Sequence, residues 1–404
     1  MVVGHREVLV FVDSDYADTP YDKWVAGTDV QLRLLVSAGK YAQYRHIDGA
    51  RGFADYAGSG EADQAALETA DRVRPHAVVA RMEGDLLRAA RLRELLGVPG
   101  QDWASASAFR DKVLMKRLVR EAGIAVPEFA PVRVTMDLLG FVREHGYAVV
   151  VKPAFGSGST GTRVLRGPGD LAELLRSGLP ERAEVERFVE GPMYVVDGLV
   201  AGGEVVATFV SRYLNDCLSF QSGAYLGSVQ LTDDRALIRR LDAYARQVMA
   251  ALPTPSCTAF HLEVFHTPED ELVLCEVGSR TGGALSAAAI LAATGFDVDQ
   301  EWFRAQLGED VSEPERRDAA GWVVFYPESG TLAALPDSPP SYVVEQRIRG
   351  VIGTEYQGGE KSGVYLAAYV VTGADEFEVA RRADELADWY AAGVRWDSGA
   401  AGAF

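Results

Sequence analysis

The sequence predicts an α/β amino-terminal unit followed by a larger α+β region, and three observations lead there. Residues 1 to about 125 alternate short apolar runs with helical patterns, the arrangement that builds a parallel sheet. The middle of the chain carries apolar strands separated by glycine- and proline-containing turns, the mark of antiparallel pairing. From about residue 315 the strand pattern restarts and closes on a last helix. A chain of 404 residues exceeds one ordinary core, and the expected division is 1–104, 105–310 and 311–404.

Taken in order, Val8–Val12 reads as a first core strand, 29–39 as a helix, 77–80 as a strand and 84–97 as a helix. A further helix is expected from about Ser105, with Ser105 and Ser107 as N-caps and Leu114, Leu118 and Val119 at helical spacing before Gly123 ends it. The connecting helix and linker run over 105–134. Thr135 is the expected cap of a helix to His145, and Tyr147–Val151 is a continuous apolar strand of the buried type. Val185–Val189, Tyr194–Val200 and Val205–Val210 lie between Gly191-Pro192 and Gly202-Gly203 and read as an antiparallel meander. A long helix follows at 233–251, capped by Thr232 with Asp233 and Asp234 in its first turn. After a hairpin at 260–277, Thr281–Phe296 reads as a buried helix. Trp322–Phe325, Val343–Ile348, Tyr365–Val371 and a helix at 375–391 form the carboxy-terminal α+β unit.

Composition narrows the function. With 48% apolar and 24% charged residues the chain reads as a soluble globular protein. A formal charge of −18 leaves no basic stripe to release counterions, which argues against a nucleic acid or an anionic membrane as partner. The apolar start spans five residues before Asp13, too short for a signal peptide, and Thr281–Phe296 falls short of the about 20 residues a membrane span needs. Cys217, Cys257 and Cys275 have neither metal nor redox spacing and are expected to be small buried hydrophobes in a reducing cytoplasm. Six of the 40 basic residues are lysines, so each lysine deserves a look.

The chemistry concentrates in a few places. Phe260-His-Leu-Glu263-Val-Phe and Leu272-Val-Leu-Cys-Glu276-Val are apolar strands, each broken by one carboxylate, on either side of the turn Thr267-Pro-Glu-Asp270. Folded at its midpoint, this hairpin sets Glu263 opposite Glu276 with Cβ atoms about 5 Å apart. Half-buried, such a pair needs a shared proton or a hard cation such as Mg²⁺; on an exposed hairpin they would be two unrelated acids. Lys152 ends a buried strand and leads into Gly156-Ser157-Gly158-Ser159-Thr160-Gly161. Backbone N–H groups and hydroxyls of such a loop can close over phosphate oxygens, where glycine removes an obstructing Cβ. It is neither a Walker A loop nor a Rossmann fingerprint. Lys112 opens an amphipathic helix, Glu186 and Glu190 flank Phe188 and Val189 on a strand and turn, and Arg280 follows Glu276 in Gly-Ser-Arg-Thr-Gly282-Gly283.

In this order the motifs resemble the ATP-grasp superfamily over roughly 105–295: Arg110-Asp-Lys112 with Ala122-Gly-Ile-Ala-Val-Pro127, the Lys152 loop, Glu186-Arg-Phe-Val-Glu190-Gly191 with Val196-Asp197-Gly198, and the Glu263/Glu276 hairpin. The resemblance implies an ATP-grasp fold preceded by a parallel βα domain like the amino-terminal domain of biotin carboxylases and completed by the carboxy-terminal unit. It implies ATP with Mg²⁺ or Mn²⁺ as cofactors. Lys112 and Lys152 would hold the α- and β-phosphates under the loop from Gly156 to Gly161. Glu186 and the backbone of Phe188 and Val189 would read adenine, and Glu190 or Asp197 would lie near ribose. Glu263 and Glu276 would carry the metal, and Arg280 would face the reacting carboxylate. Two positions depart from many relatives: Met193 replaces a ribose-binding glutamate and Gly278 a metal-binding asparagine. The Gly-Ser-Arg-Thr-Gly-Gly segment resembles the branch of L-amino acid ligases and related carboxylate–amine ligases.

His261 shares a strand face with Glu263 and is a candidate substrate or phosphate contact, or a histidine satisfied by a neighbouring group. The polar segment Ser211–Gln230, with Arg212, Tyr213, Asn215, Ser219, Gln221, Ser222 and Gly223, reads as a substrate-side loop or a surface excursion; Ser211, Gly282 and Gly283 join His261 and Arg280 as substrate candidates. The expected activity is ATP-dependent joining of a small carboxylate to an amine, both amino-acid-like, through an acyl-phosphate. A phosphotransferase without an amine acceptor and a non-catalytic ATP-binding protein remain the rival readings. Relatives suggest a homodimer.

Overall fold

The apolar run Val8–Val12 is uninterrupted because β1 (Arg6–Val12) is covered on both faces. In the computed structural model, which describes residues 5–397 except 217, 220–223, 316 and 360–362, β1 pairs in parallel with β2 (Val30–Ser37) and β4 (Ala77–Ala80), and β2 with β3 (Ala50–Phe53). The sheet order is β3-β2-β1-β4. Cys217, Gln221, Ser222 and Gly223 lie outside the described residues. The expected helix at 29–39 is corrected to strand β2, and the helix begins only at Ala38. Leu32, Leu34 and Val36 enter one core cluster and Leu35 the other, so burial on both faces blurs the period that separates strand from helix. Because β2 and β4 flank β1 on opposite sides, the carboxyl ends of β1 and β4 frame a switch-point crevice, and Glu83 follows β4 there.

Beside that crevice, Asp85 is buried, with Oδ2 unpartnered among the described residues. Burial pushes its carboxyl up to about 7, although Arg88 opposes the shift. The native state therefore keeps a proton that the unfolded chain, titrating around 4, has released. Between pH 4 and 7 the unfolded state binds fewer protons, so this group's contribution makes stability fall as pH rises. Asp85→Asn is expected to raise the melting temperature by several degrees at pH 8 and to change it little at pH 4. Thermal melts across that range check it, and a pH-independent effect would contradict the assignment.

Two helices, not one, lead into the next domain, correcting the helix expected from Ser105. Asp102 caps Trp103–Arg110 by accepting from the Ser105 amide, and Asp111 caps Lys112–Glu121 by accepting from Val113 and Leu114. The extended backbone at Asp111 breaks the helical run, so that Lys112 starts a new helix.

Beyond them, β5 (Phe129–Val132), β6 (Val149–Pro153), β7 (Arg163–Leu165) and β8 (Ala183–Arg187) form an antiparallel sheet in the order β5-β8-β6-β7, backed by Thr135–His145 and Pro168–Ser177. The predicted meander is therefore split. β8 belongs to this sheet, whereas β9 (Met193–Ala201) and β10 (Glu204–Tyr213) belong to a second, larger one. Gly191 makes the passage, with φ 129° and a hypothetical Cβ that would lie 2.2 Å from the His266 carbonyl oxygen.

The larger sheet adds β11 (Leu226–Gln230), β12 (Thr258–His266), β13 (Leu272–Gly278), β14 (Ala319–Phe325), β16 (Val343–Ile348) and β18 (Ala367–Gly373), all antiparallel, in the order β13-β12-β9-β10-β11-β14-β18-β16. The carboxy-terminal strands thus extend this sheet, and β15 (Ser329–Ala334), β17 (Glu355–Gln357) and β19 (Arg395–Asp397) form a small sheet beside it. The helix Arg235–Ala251, capped by Asp234 and not by Thr232, packs with Lys112–Glu121 on one face of β9, β12 and β13. Helix Val298–Gln306 packs on the other face, against Leu199, Phe209 and β1. This sandwiching fixes the glycine-loop sheet, the hairpin and the amino-terminal crevice around one cleft.

Candidate active site

Glu263 and Glu276 are register partners on β12 and β13. A bulge follows directly, because Val264 then pairs with Leu274 and leaves Cys275 as the extra residue. Each glutamate is partly held. Oε1 of Glu263 accepts from the Tyr213 hydroxyl at 3.0 Å and lies 3.5 Å from Nε2 of His261. Oε2 of Glu276 lies 3.3 Å from Nζ of Lys112. Burial would raise the Glu276 carboxyl, but Lys112 and Lys152 outweigh it and hold it well below the ordinary carboxylate range.

Three lysines meet beside this hairpin. Lys112 donates through Nζ to the Gly156 carbonyl at 2.8 Å, and its amide donates to the Ala154 carbonyl at 3.0 Å, which ties its helix to the glycine loop. Lys152, at the end of β6, lies 2.8 Å from Oε1 of Glu186 and 3.9 Å from the Cys275 sulfur across the cleft. Burial would lower its ammonium, yet the surrounding anions, Glu186 and Glu184 among them, push it well above the usual lysine range. Lys116, fully buried, lies 2.6 Å from Oε1 of Glu184 and also bonds Glu186. Glu184 and Glu186 alternate on β8 and so face the same side.

Arg280 is held from the amino-terminal domain. Its Nε and Nη2 lie 3.0 and 2.9 Å from Oε2 of Glu83, and Nη1 donates to the Thr281 carbonyl at 2.8 Å. Oε1 of Glu83 takes Nη1 of Arg110 at 2.5 Å, and Nη2 of Arg110 donates to the Phe155 carbonyl at 2.6 Å. Burial would raise the Glu83 carboxyl, but Arg280, Arg110 and Lys112 outweigh it and lower it. One carboxylate thus links the crevice, the loop entrance and the arginine beside the hairpin.

The remaining sequence-predicted residues fall around this centre. Gly158, Ser159 and Gly161 have left-handed φ of 58°, 55° and 71°, which can turn successive N–H groups inward as an anion-binding concavity. Ser157, Thr160 and Gly161 are exposed and Gly156 is half-buried. Phe188 and Val189 are half-buried at the end of β8, with Glu190 exposed beyond them. Asp197 is buried and 2.7 Å from Nδ1 of His261; it partners this histidine across β9 and β12. Burial would lower the His261 imidazole, but Asp197 and Glu263 raise it to about 9. Gly282 packs so closely that a Cβ there would lie 2.8 Å from Oδ1 of Asp197 and 2.7 Å from the Cβ of Ser286, whereas Gly283 is exposed. Ser211 lies on β10, paired with Gln230 and Val195.

Comparison with known proteins finds likenesses in sequence and in fold. A family profile described as "Carbamoyl-phosphate synthase L chain, ATP binding domain" matches residues 111–203. The L-arginine-specific L-amino acid ligase of Bacillus subtilis is 26% identical over 214 residues, 51% of this chain and 51% of that protein. The crystal structure of an L-amino acid ligase from Bacillus licheniformis superposes with a TM-score of 0.79 at 16% identity, covering 98% of this chain and 99% of that one. In sequence and fold the chain resembles the ATP-grasp superfamily and its L-amino acid ligase branch. The biotin carboxylase domain of 2-oxoglutarate carboxylase from Hydrogenobacter thermophilus, solved with MgADP, ADP and bicarbonate, shares the fold with a TM-score of 0.73 at 15% identity, over 96% and 91% of the two chains. The chain spans about half the length, or less, of the curated relatives it matches. Among the described residues no helix is long and apolar enough to cross a membrane.

The cleft beside the hairpin suits a hard divalent cation that takes most of its ligands from outside the protein. Among the described residues, no group of three or more His, Cys, Asp or Glu side chains could hold a metal, and Glu263 and Glu276 are the two oxygen donors at the hairpin. Mg²⁺ is commonly bound through one or two carboxylates plus phosphate oxygens and water, so this donor set fits. The nearest atoms to a Cβ at Gly278 would be those of the Arg280 side chain, at 3.6 Å, an ordinary contact, so packing does not require glycine there. Sequence reasoning missed Lys116, Glu184 and Glu83, and named Arg110 only within a motif. The scarcity of lysine and the spacing of four residues from Lys112 could have raised Lys116; nothing local marks Glu83.

Proposed function

We propose that the chain is an ATP-dependent carboxylate–amine ligase for amino-acid substrates, working through an acyl-phosphate. What supports this most is Arg280, oriented by Glu83 beside Glu263 and Glu276. A guanidinium fork there can hold a carboxylate against the phosphoryl group that the lysines and glycine loop would present. The likeness to amino acid ligases supports the substrate class.

Lys112 and Lys152 would take the α- and β-phosphates, and Gly156 to Gly161 would cover them and exclude water from the intermediate. The backbone of Phe188 and Val189 would read adenine, with Glu186 accepting from its amino group through lone pairs that Lys116 and Lys152 leave free. Glu190, exposed at the hinge, is the ribose-side candidate, and Asp197 serves His261. Glu263 and Glu276 would hold Mg²⁺ or Mn²⁺, which when bound offsets charge on the transferring group. The substrate carboxylate held by Arg280 attacks the γ-phosphorus, the bond to the bridging oxygen breaks and ADP leaves. The amine nitrogen then attacks the acyl carbon, phosphate departs, and nitrogen loses a proton to give the amide.

The test is a phosphate-release screen over pairs of amino acids with ATP and Mg²⁺, with products identified by mass. Release that needs both partners and yields an amide is expected. A phosphorylated product without amide, or tight ATP binding without turnover across the panel, would overturn the reading.

A further inference from the structure

We infer that the enclosed pocket beside Glu263 is the side-chain subsite for the substrate held at Arg280, and that it selects a small side chain ending in a hydroxyl. The inference rests on the ligase reading above for the carboxylate at Arg280, but its own support is independent. The pocket lies between the β10-β11-β14 face of the large sheet and the helix Ser286–Thr294. It adjoins the site on two sides: Tyr213, which lines it, bonds Glu263, and Asp197, also in its wall, packs against Gly282 in the turn after Arg280.

Three polar groups meet there without a partner. The Gln230 side-chain nitrogen is fully buried and unpartnered among the described residues, and the hydroxyls of Ser211 and Ser286, on residues more than nine-tenths buried, line the same void with no hydrogen bond among the described residues. Native interiors satisfy the great majority of such groups, so three around one void call for an occupant. Gln230 offers a donor through this nitrogen and needs an acceptor, while the serine hydroxyls can act either way. A hydroxyl both accepts and donates, so it completes all three; a methyl group leaves Gln230 unpaired. The free space is about the size of a water molecule, and Trp322 and Ala289 wall it, which excludes longer chains. Charged side chains find no free partner, because His261 and Asp197, in the pocket wall, already bond one another at 2.7 Å.

The test is binding, read separately from turnover. Titration calorimetry of the wild-type protein with Mg²⁺ and a non-hydrolysable ATP analogue compares L-serine with L-alanine, L-leucine, L-aspartate and L-lysine. L-serine should bind about tenfold or more tightly than each of the others. Ser211→Ala and Ser286→Ala should each erode the preference for L-serine over L-alanine while retaining L-alanine binding, and Ser211→Val, which fills the space, should weaken both. Binding of L-leucine or L-lysine as tight as that of L-serine, no binding of any amino acid, or an undiminished preference in both alanine variants would overturn the subsite. Amide formation with a different side-chain preference would overturn it and leave the ligase reading standing. Selective L-serine binding with no phosphate release from any pair would do the reverse.

Discussion

Glu276→Gln lowers ATP-dependent phosphate release by on the order of 10³-fold, the scale seen when one preorganised electrostatic group is removed from an active site. The substitution preserves shape and an acceptor for Lys112 at its 3.3 Å contact but deletes the charge that, opposite Glu263, creates the demand for a cation. The fold should survive. The β12–β13 ladder is made by backbone groups, and the Glu276 side chain retains 27% of its exposure. Lys152→Ala should act to a similar degree by removing a proposed phosphate ligand. Steady-state phosphate release, with circular dichroism as the folding control, checks both variants. Wild-type-like turnover in either one would refute the placement of ATP in this cleft.

Lys116→Met, by contrast, acts on stability first. Lys116 is fully buried between Glu184 and Glu186, and breaking a buried ion pair from one side costs about 3–5 kcal/mol because a buried charge is left behind. Lys152 would then be the single cation facing two carboxylates, at 3.7 and 2.8 Å. It would be pulled toward β8 and away from the proposed phosphate position, so ATP affinity should fall as well. Adding Glu184→Gln removes the excess charge and should recover part of the stability, since contacting residues are not additive. Urea midpoints of the single and double variants, with calorimetric ATP titrations, measure both consequences. A Lys116→Met protein as stable as the wild type would refute the charge-balance account.

What the sequence made legible follows from how local each signal is. The hairpin could be read because a carboxylate inside an apolar strand stands out within a few residues, and the same holds for Lys152 with its glycines. Strand β2 could not, because Leu32, Leu34, Leu35 and Val36 are buried on both faces and satisfy either period. The meander failed for another reason: alternation marks a strand but not its sheet, and β8 and β9 part company at Gly191. Glu83 lies 197 residues from Arg280 in sequence, and Lys116 lies 68 from Glu184. Only the folded chain juxtaposes them. The pocket at Ser211 is assembled from β10, β11, β14 and a helix, so Ser211 looked like loop polarity and Ser286 like one polar residue of a buried helix in the linear chain.

The double hold of Glu83 on Arg110 and Arg280 also bears on how such chains can be recombined. Treating the amino-terminal unit as an exchangeable module would put a crossover near residue 104. Such a chimera would part Glu83 from both arginines, leaving the loop entrance and the carboxylate fork unsupported even if every piece folded. Grafting from another member should therefore transfer the acid and its two cations as a set, which makes this triad, and not the helix boundary, the natural unit of exchange.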